Sequence, residues 1–332
     1  MIITLLCHRA VLHVQDELCD AETEGPDFST SEKSRNVVNT SVRITPEFLI
    51  YDSDFKRGLG NCMFKMASIL GIAHGSRKIP VLSNTSKLIR YFDINIDSIA
   101  SQPEVLNTTV KMFGGGAAKY KPAVLEARTK PHNITLIGYF QSWKYFRNIT
   151  DRIRHLFTFR REIRQPAQDI VHSFRTLHQP TGTDDLHKSV VLVGVHVRRG
   201  DIVTFKRLQE RGFTTPSSTY YDKAMRFMEE VLTNKTLVYV IASNDYAWAR
   251  SHLMTSRRRV EFLDETNNEA LDMCVLSLCD HVIMSVGTFS WWSAWLAGGV
   301  TVYYDLWPLP DTWFHSHVSH ADYFLPSWIP LH

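Results

Sequence analysis

Four consecutive apolar residues, Val190-Val191-Leu192-Val193, run through Gly194-Val195-His196-Val197 into Arg198-Arg199-Gly200-Asp201. Such a run predicts a buried strand that delivers two arginines, a glycine and a carboxylate to its C-terminal end. In an open α/β sheet that is the end where ligands bind. An arginine fork pairs two oxygens at once and keeps its charge at any working pH, so it suits a phosphate-bearing ligand, a pyrophosphate above all. The plainer reading is an ion pair between Arg198 or Arg199 and Asp201 at a strand end, a common and weak feature.

Two later segments bear on that choice. Val238-Tyr239-Val240-Ile241-Ala242 is β-branched and aromatic and closes on Ser243-Asn244-Asp245, a second strand emptying into a polar loop. The stretch from Cys279 to Gly299 reads as a strand ending at Gly287, followed by a helix that opens at Thr288 or Ser290. A helix start offers unpaired N–H groups and the positive end of its dipole, so Ser285, Thr288 and Ser290 stand where an anion is welcome. The simpler role for these hydroxyls is N-capping, worth about 1 kcal/mol and needing no ligand.

In this order and spacing, the three segments resemble the α-1,2-fucosyltransferases, inverting enzymes that move L-fucose from GDP-fucose to the 2-hydroxyl of a terminal galactose. The resemblance extends to Gly138-Tyr139-Phe140-Gln141-Ser142-Trp143-Lys144-Tyr145-Phe146, to Phe324-Leu325-Pro326-Ser327-Trp328, and to the glycine turn Arg57-Gly58-Leu59-Gly60-Asn61. It covers the chain from about Val42 to the C-terminus. What it implies is an α/β fold of two Rossmann-like halves facing a cleft, the glycosyltransferase B-type arrangement. Residues 42–178 form the acceptor-side half and residues 186–332 the GDP-fucose-binding half.

The resemblance also implies roles. Arg198 is the main pyrophosphate contact, with Arg199 supporting it or buried against Asp201. Ser290 and Trp291 offer N–H groups at the helix start beside Phe289, and Thr288 offers a hydroxyl. His196 and Asp272 lie near the guanine, since a carboxylate can accept from both N1–H and the 2-amino group, a donor pair that adenine lacks. Asp272 is otherwise a helix-surface acid. Ser243, Asn244 and Asp245 border the donor, and Gly60 and Asn61 reach it from the first half. The family usually has glutamine or another polar residue after that asparagine, where this chain has Cys62. Asp201 is the nearest candidate for the catalytic base, or else it holds an arginine. Two further outcomes stay open: fucose transfer to a different acceptor hydroxyl, and a catalytically inactive lumenal protein that binds glycan or nucleotide.

A chain of 332 residues with 44% apolar content can bury one large or two medium cores, and its formal charge of +3 is too small to point to a nucleic-acid partner. Arg257-Arg258-Arg259 reads as a solvated helix end. The alternation of strand and helix along the chain argues for parallel sheets covered by helices, with a helix expected at 63–76 and helices running from 149 to 172. Gln179 to Asp185 is the best linker.

Six N-x-Ser/Thr sequons, at Asn39, Asn84, Asn107, Asn133, Asn148 and Asn234, favour a glycosylated lumenal chain; Asn133 adjoins a strand. With the resemblance they imply a Golgi enzyme on a single-pass type II anchor. The start Met1 to Cys7 is too short to span a membrane, so residues 1–41 read as a polar stem or an incomplete N-terminus. Cys274 and Cys279 lie on different faces of a helix without zinc spacing, so no metal site is expected. Asp52-Ser53-Asp54 has the form of a metal-binding pair of carboxylates but precedes the glycine turn instead of ending a central strand. The arginines already supply the charge a metal brings, so no metal cofactor is expected; the resemblance implies GDP-fucose as the donor substrate.

Overall fold

The computed structural model describes residues 47–51, 58–82, 86–94, 100–101, 109–114, 117–180 and 189–332. Asp52-Ser53-Asp54, the stem, the sequons at Asn39, Asn84 and Asn107, and most of the linker lie outside them. Thr45–His332 forms one compact unit.

The first half runs β1 (Glu47–Tyr51), α1 (Leu59–Ala73), β2 (Lys78–Leu82), α2 (Lys87–Tyr91), β3 (Ala100–Ser101), β4 (Thr109–Phe113), β5 (Asn133–Ile137), α3 (Thr150–Leu156) and α4 (Arg161–Leu177). Its five strands pair in the order β3-β2-β1-β5-β4, all parallel. Helix α1 begins four residues before the expected start, because Gly58 in extended conformation already serves as its N-cap. The helices expected from 149 to 172 are α3 and α4, separated between Leu156 and Arg161, where Phe157 and Phe159 turn inward against Phe92.

The second half runs β6 (Val190–Val197), α5 (Gly200–Thr204), α6 (Lys206–Glu210), α7 (Ser218–Val231), β7 (Thr236–Ser243), α8 (Tyr246–Leu253), β8 (Arg259–Phe262), α9 (Glu269–Ser277), β9 (His281–Ile283), α10 (Thr288–Ala297), β10 (Thr301–Tyr304), α11 (Trp313–Ser316), α12 (His320–Tyr323) and β11 (Ile329–Leu331). The sheet order β11-β10-β9-β6-β7-β8 is parallel throughout. Counted from β6, this is the 3-2-1-4-5-6 order of dinucleotide-binding sheets. The α/β class with two parallel, helix-covered sheets is as expected.

Strand β6 sits between β7 and β9, and seven of its eight residues are buried, which accounts for its unbroken apolar run. The basic run at 257–259 is not a solvated helix end. Arg259 opens β8 opposite Val238, and Arg258 bridges Asp222 at 2.7 Å and Glu229 at 2.6 Å on α7. Those pairs overcome the effect of burial and raise the guanidinium pKa.

Helix α10 is apolar almost all round and correspondingly buried. Trp291 and Trp292 lie against Phe64 of α1 at ring separations of 4.5 and 5.1 Å. The contact is close because Gly60 has no side chain: a Cβ there would stand 2.6 Å from the Thr288 carbonyl. The Gly60 carbonyl in turn accepts from Trp292 Nε1 at 3.0 Å. The N-termini of α1 and α10 are thereby held side by side.

Candidate active site

In an open parallel sheet, a crevice forms where strand order reverses and neighbouring connections diverge to opposite sides. In the second sheet this lies between β6 and β9, and in the first sheet β1 and β5 are neighbours. The residues that follow all four strands line one cleft of about 680 Å³: Gly58–Asn61 after β1, Tyr139 and Gln141 after β5, Arg198 and Asp201 after β6, Gly287–Phe289 after β9.

Arg198 enters this cleft in a fixed orientation. Its Nη2 meets Asp201 Oδ2 at 2.6 Å and its Nε meets Oδ1 at 3.3 Å. The opposite edge faces the start of α10, since a Cβ on Gly287 would lie 2.8 Å from Nη1. Gly287 has φ +88° and caps α10 without a side-chain bond, so the first-turn N–H groups of Thr288, Phe289 and Ser290 are not covered by a cap. An arginine fork and the positive end of a helix therefore converge. Burial alone would push the Asp201 carboxyl up, but the hydrogen bond and charge of Arg198 outweigh it and hold the pKa below the usual carboxylate range. The strand-end ion pair foreseen as the plainer reading exists, and it occupies only one edge of the fork.

The serines tie the two strand ends together. Ser285 Oγ accepts from Arg198 N–H at 3.1 Å, and Ser285 N–H donates to Ser290 Oγ at 3.0 Å. Ser290 Oγ also lies 2.6 Å from His196 Nδ1. The Ser290 hydroxyl donates to Nδ1 in one His196 tautomer and accepts from it in the other. Burial and the charge of Arg198 push the His196 pKa down to about 3, so the ring is neutral at working pH. It lies against Phe289 at a ring separation of 4.7 Å and a tilt of 35°, and both line the cleft.

Several expected contacts are differently employed. Trp291 N–H donates to the Gly287 carbonyl at 3.3 Å and its indole to Tyr323 O at 2.7 Å, so Trp291 offers nothing to a ligand. The Thr288 hydroxyl donates to Asn61 Oδ1 at 2.8 Å, which Gln141 Nε2 also reaches at 2.9 Å, binding the halves across the cleft. Arg199 is not against Asp201. It lies over Trp248 at 4.2 Å and near Asp245 at 3.7 Å, outside the cleft lining.

Asn244 Oδ1 accepts from Arg199 N–H at 2.8 Å and Gly200 N–H at 3.2 Å, while Asp245 caps α8 and Ser243 Oγ bonds Val197 O at 3.1 Å. These three residues brace the loop after β6, and Ser243 and Asn244 also line the cleft. Cys62 is fully buried in the core and does not line the cleft.

Asp272 faces the cleft from the first turn of α9, with Oδ1 bonded to Asn267 Nδ2 at 2.9 Å. Burial pushes its carboxyl up; the Asn267 bond opposes this and the charge of Asp264 adds to it, giving a pKa of about 6. Glu269, three residues earlier and so on the same helix face, was not singled out from sequence. It accepts from Leu59 N–H at 3.3 Å and pairs with Lys87 at 2.7 Å. Gln141 and Tyr139 were also missed as individual residues. Phe140 between them has φ +53° and a buried ring, a kink that leaves both neighbours in the cleft lining.

The remaining wall is aromatic. Phe213 stacks on Phe314 at 4.2 Å, and Trp307, Trp313 and Tyr323 join them beside Leu208 and Arg211, Trp313 being 58% exposed. Asn133 Oδ1 accepts from Phe48 N–H at 2.9 Å, whereas Asn148 and Asn234 are exposed. Among the described residues no helix is long and apolar enough to cross a membrane.

Comparison with known proteins places these features in a family. The model of glycosyl transferase family 11 matches residues 31–332. The galactoside alpha-(1,2)-fucosyltransferase 1 of Homo sapiens is 30% identical over 82% of this chain and 72% of its own length. That of Bos taurus is 34% identical over 62% of this chain, and the match spans 55% of the bovine protein. Among solved structures, the chain is similar to NodZ alpha-1,6-fucosyltransferase soaked with GDP-fucose, with a TM-score of 0.47, 13% identity, and coverage of 79% and 96% of the two chains. It is also similar to POFUT1 in complex with GDP-fucose, with a TM-score of 0.46, 9% identity, and coverage of 76% and 94%. With the family model matched from residue 31 to the last residue, across both sheets and the cleft, this chain belongs to glycosyl transferase family 11.

Proposed function

We propose that the chain is an inverting fucosyltransferase that moves L-fucose from GDP-fucose to the 2-hydroxyl of a terminal galactose on a glycan. The observation that carries this is the convergence of the free edge of Arg198 with the uncapped start of α10 at a strand-order reversal. In that arrangement a departing diphosphate meets fixed donors as its charge develops, and they need no reorganisation during reaction. The names of the relatives supply the galactoside and the linkage.

Asp272 accepts from guanine N1–H and the 2-amino group, with neutral His196 and Phe289 beside it. Asp201 acts as a positioning residue for Arg198: a carboxylate held below its ordinary pKa is a weak base. Glu269 is committed to Lys87 and the start of α1. Leaving-group stabilisation therefore dominates, and the acceptor proton departs late from an oxocarbenium-like transition state. Arg198 and the helix dipole supply the positive charge, so transfer proceeds without a divalent metal. Residues 186–332 carry the nucleotide and residues 42–178 the acceptor side. The exposed sequons fit a lumenal, Golgi-resident enzyme.

The test is incubation of the purified protein with labelled GDP-fucose and a panel of β-galactosides, followed by linkage analysis. Label on the galactose 2-hydroxyl supports the reading. Label on another hydroxyl changes the acceptor assignment, and GDP binding without transfer identifies a binding protein.

A further inference from the structure

Two polar atoms in the aromatic wall have no hydrogen-bond partner among the described residues: the Tyr323 hydroxyl and the Trp307 indole Nε1. Their residues are 1% and 3% exposed, and both line the cleft. A buried donor left unmade costs about 1–3 kcal/mol, so two in one wall call for an explanation. Loose packing does not supply one. The Tyr323 ring lies between Phe64 at 6.0 Å and Trp307 at 5.3 Å, and its carbonyl is fixed by the Trp291 indole at 2.7 Å. Trp307 lies edge-on to Phe314 at 5.3 Å, with its carbonyl held 2.6 Å from His320 Nε2.

The chemistry of the pair narrows what they bind. Burial raises the Tyr323 phenol well above its ordinary pKa, so it stays neutral, and the charged group that acts on it is Arg198. An indole N–H only donates, and a phenol donates or accepts. Neutral hydrogen-bonding tips on rigid aromatic bodies match a ligand with hydroxyls and apolar C–H faces, which is a sugar ring. Tyr323 lies within the field of Arg198 and Trp307 beside Tyr323 at 5.3 Å, which points to the sugar joined to the terminal phosphate.

Resting on the GDP-fucose reading above, we propose that the Tyr323 hydroxyl and the Trp307 indole N–H bind hydroxyls of the transferred fucosyl group. They thereby separate the sugar nucleotide from the bare nucleotide.

Calorimetric titration of GDP and of GDP-fucose into the wild type, Tyr323→Phe and Trp307→Phe tests this. Tyr246→Phe is the control, since Tyr246 also carries a buried hydroxyl but does not line the cleft. Each cleft variant is expected to weaken GDP-fucose binding by about five- to tenfold, the worth of one hydrogen bond, with GDP affinity within about twofold of wild type. The control is expected to keep the wild-type ratio of the two affinities. Tyr323→Phe, which removes a hydroxyl without partners, is expected to melt at the wild-type temperature. A cleft variant with the wild-type ratio overturns the assignment of that residue, as does an equal loss for both ligands, which would tie the group to the diphosphate. A wild-type chain that binds neither ligand overturns the nucleotide reading itself.

Discussion

Asp201 grips Arg198 along one edge, with Nη2 to Oδ2 at 2.6 Å and Nε to Oδ1 at 3.3 Å, and so fixes where the remaining N–H groups of the arginine point. Arg198→Lys keeps the charge but loses the fork, and is expected to cut transfer well over tenfold, since a bidentate contact in such a site is worth about 2–4 kcal/mol. Asp201→Asn is expected to lower GDP affinity and kcat together, because its loss frees the guanidinium to wander. Calorimetry beside steady-state kinetics checks both. If Asp201→Asn depresses kcat alone and leaves GDP affinity intact, Asp201 is the base after all.

Gly287 provides a second handle on the same group. Its φ of +88° disfavours any side chain, and a Cβ would stand 2.8 Å from Arg198 Nη1. Gly287→Ala is expected to destabilise the fold by about 1–2 kcal/mol through backbone strain, and to weaken GDP binding more than tenfold by displacing the guanidinium. Thermal melting separates the first effect from the second. Normal GDP affinity in a folded Gly287→Ala protein would show that the arginine does not need this position.

With Asp272 as the proposed guanine contact, donor binding is expected to depend on pH. Its carboxyl titrates at about 6 in the free protein, and guanine N–H donors require the ionised form. GDP affinity is therefore expected to be flat above pH 7 and to fall about tenfold per unit below the pKa. The stability linkage runs the other way. A folded pKa raised above the unfolded value means that the folded state holds the proton more tightly, so ionising Asp272 costs stability as pH rises through 4 to 6, in order-of-magnitude terms. Asp272→Asn should accordingly bind GDP poorly while melting no lower than wild type at pH 7. Unchanged GDP binding by this variant would remove the guanine assignment.

Glycosylation should follow the fold. Asn148 and Asn234 are exposed, whereas Asn133 gives its side-chain oxygen to Phe48 N–H at 2.9 Å. Protein made in animal cells from a full-length transcript is expected to carry glycans at the first two sites and none at Asn133. Peptide mapping after glycosidase treatment reads each site, and a cytosolic protein with no glycan would contradict lumenal residence.

Much of this site was legible because a parallel sheet writes its ligand positions at strand ends. Val190–Val197 announces a central strand, so Arg198 and Asp201 follow at its carboxyl end. Gly287 likewise marks the turn into α10. Hydrogen-bond assignments were not legible, because they depend on groups far apart in the chain. Asn61 meets Thr288 across 227 positions, and Ser290 meets His196 across 94, so the serine and threonine hydroxyls read as anion contacts are used inside the protein. Arg198 and Arg199 look equivalent in sequence, but Trp248 and Asp245 hold the second outside the cleft lining. Trp307 and Tyr323 come from the C-terminal region without a local motif, and their role depends on what surrounds them.

The most direct test of the central claim is transfer itself, measured in the presence of EDTA with labelled GDP-fucose and a terminal β-galactoside. The account expects labelled product in an α-1,2 linkage, with most activity surviving chelation and nearly all of it lost in Arg198→Lys. Absence of product from a protein that binds GDP, or activity that requires added manganese, would contradict it.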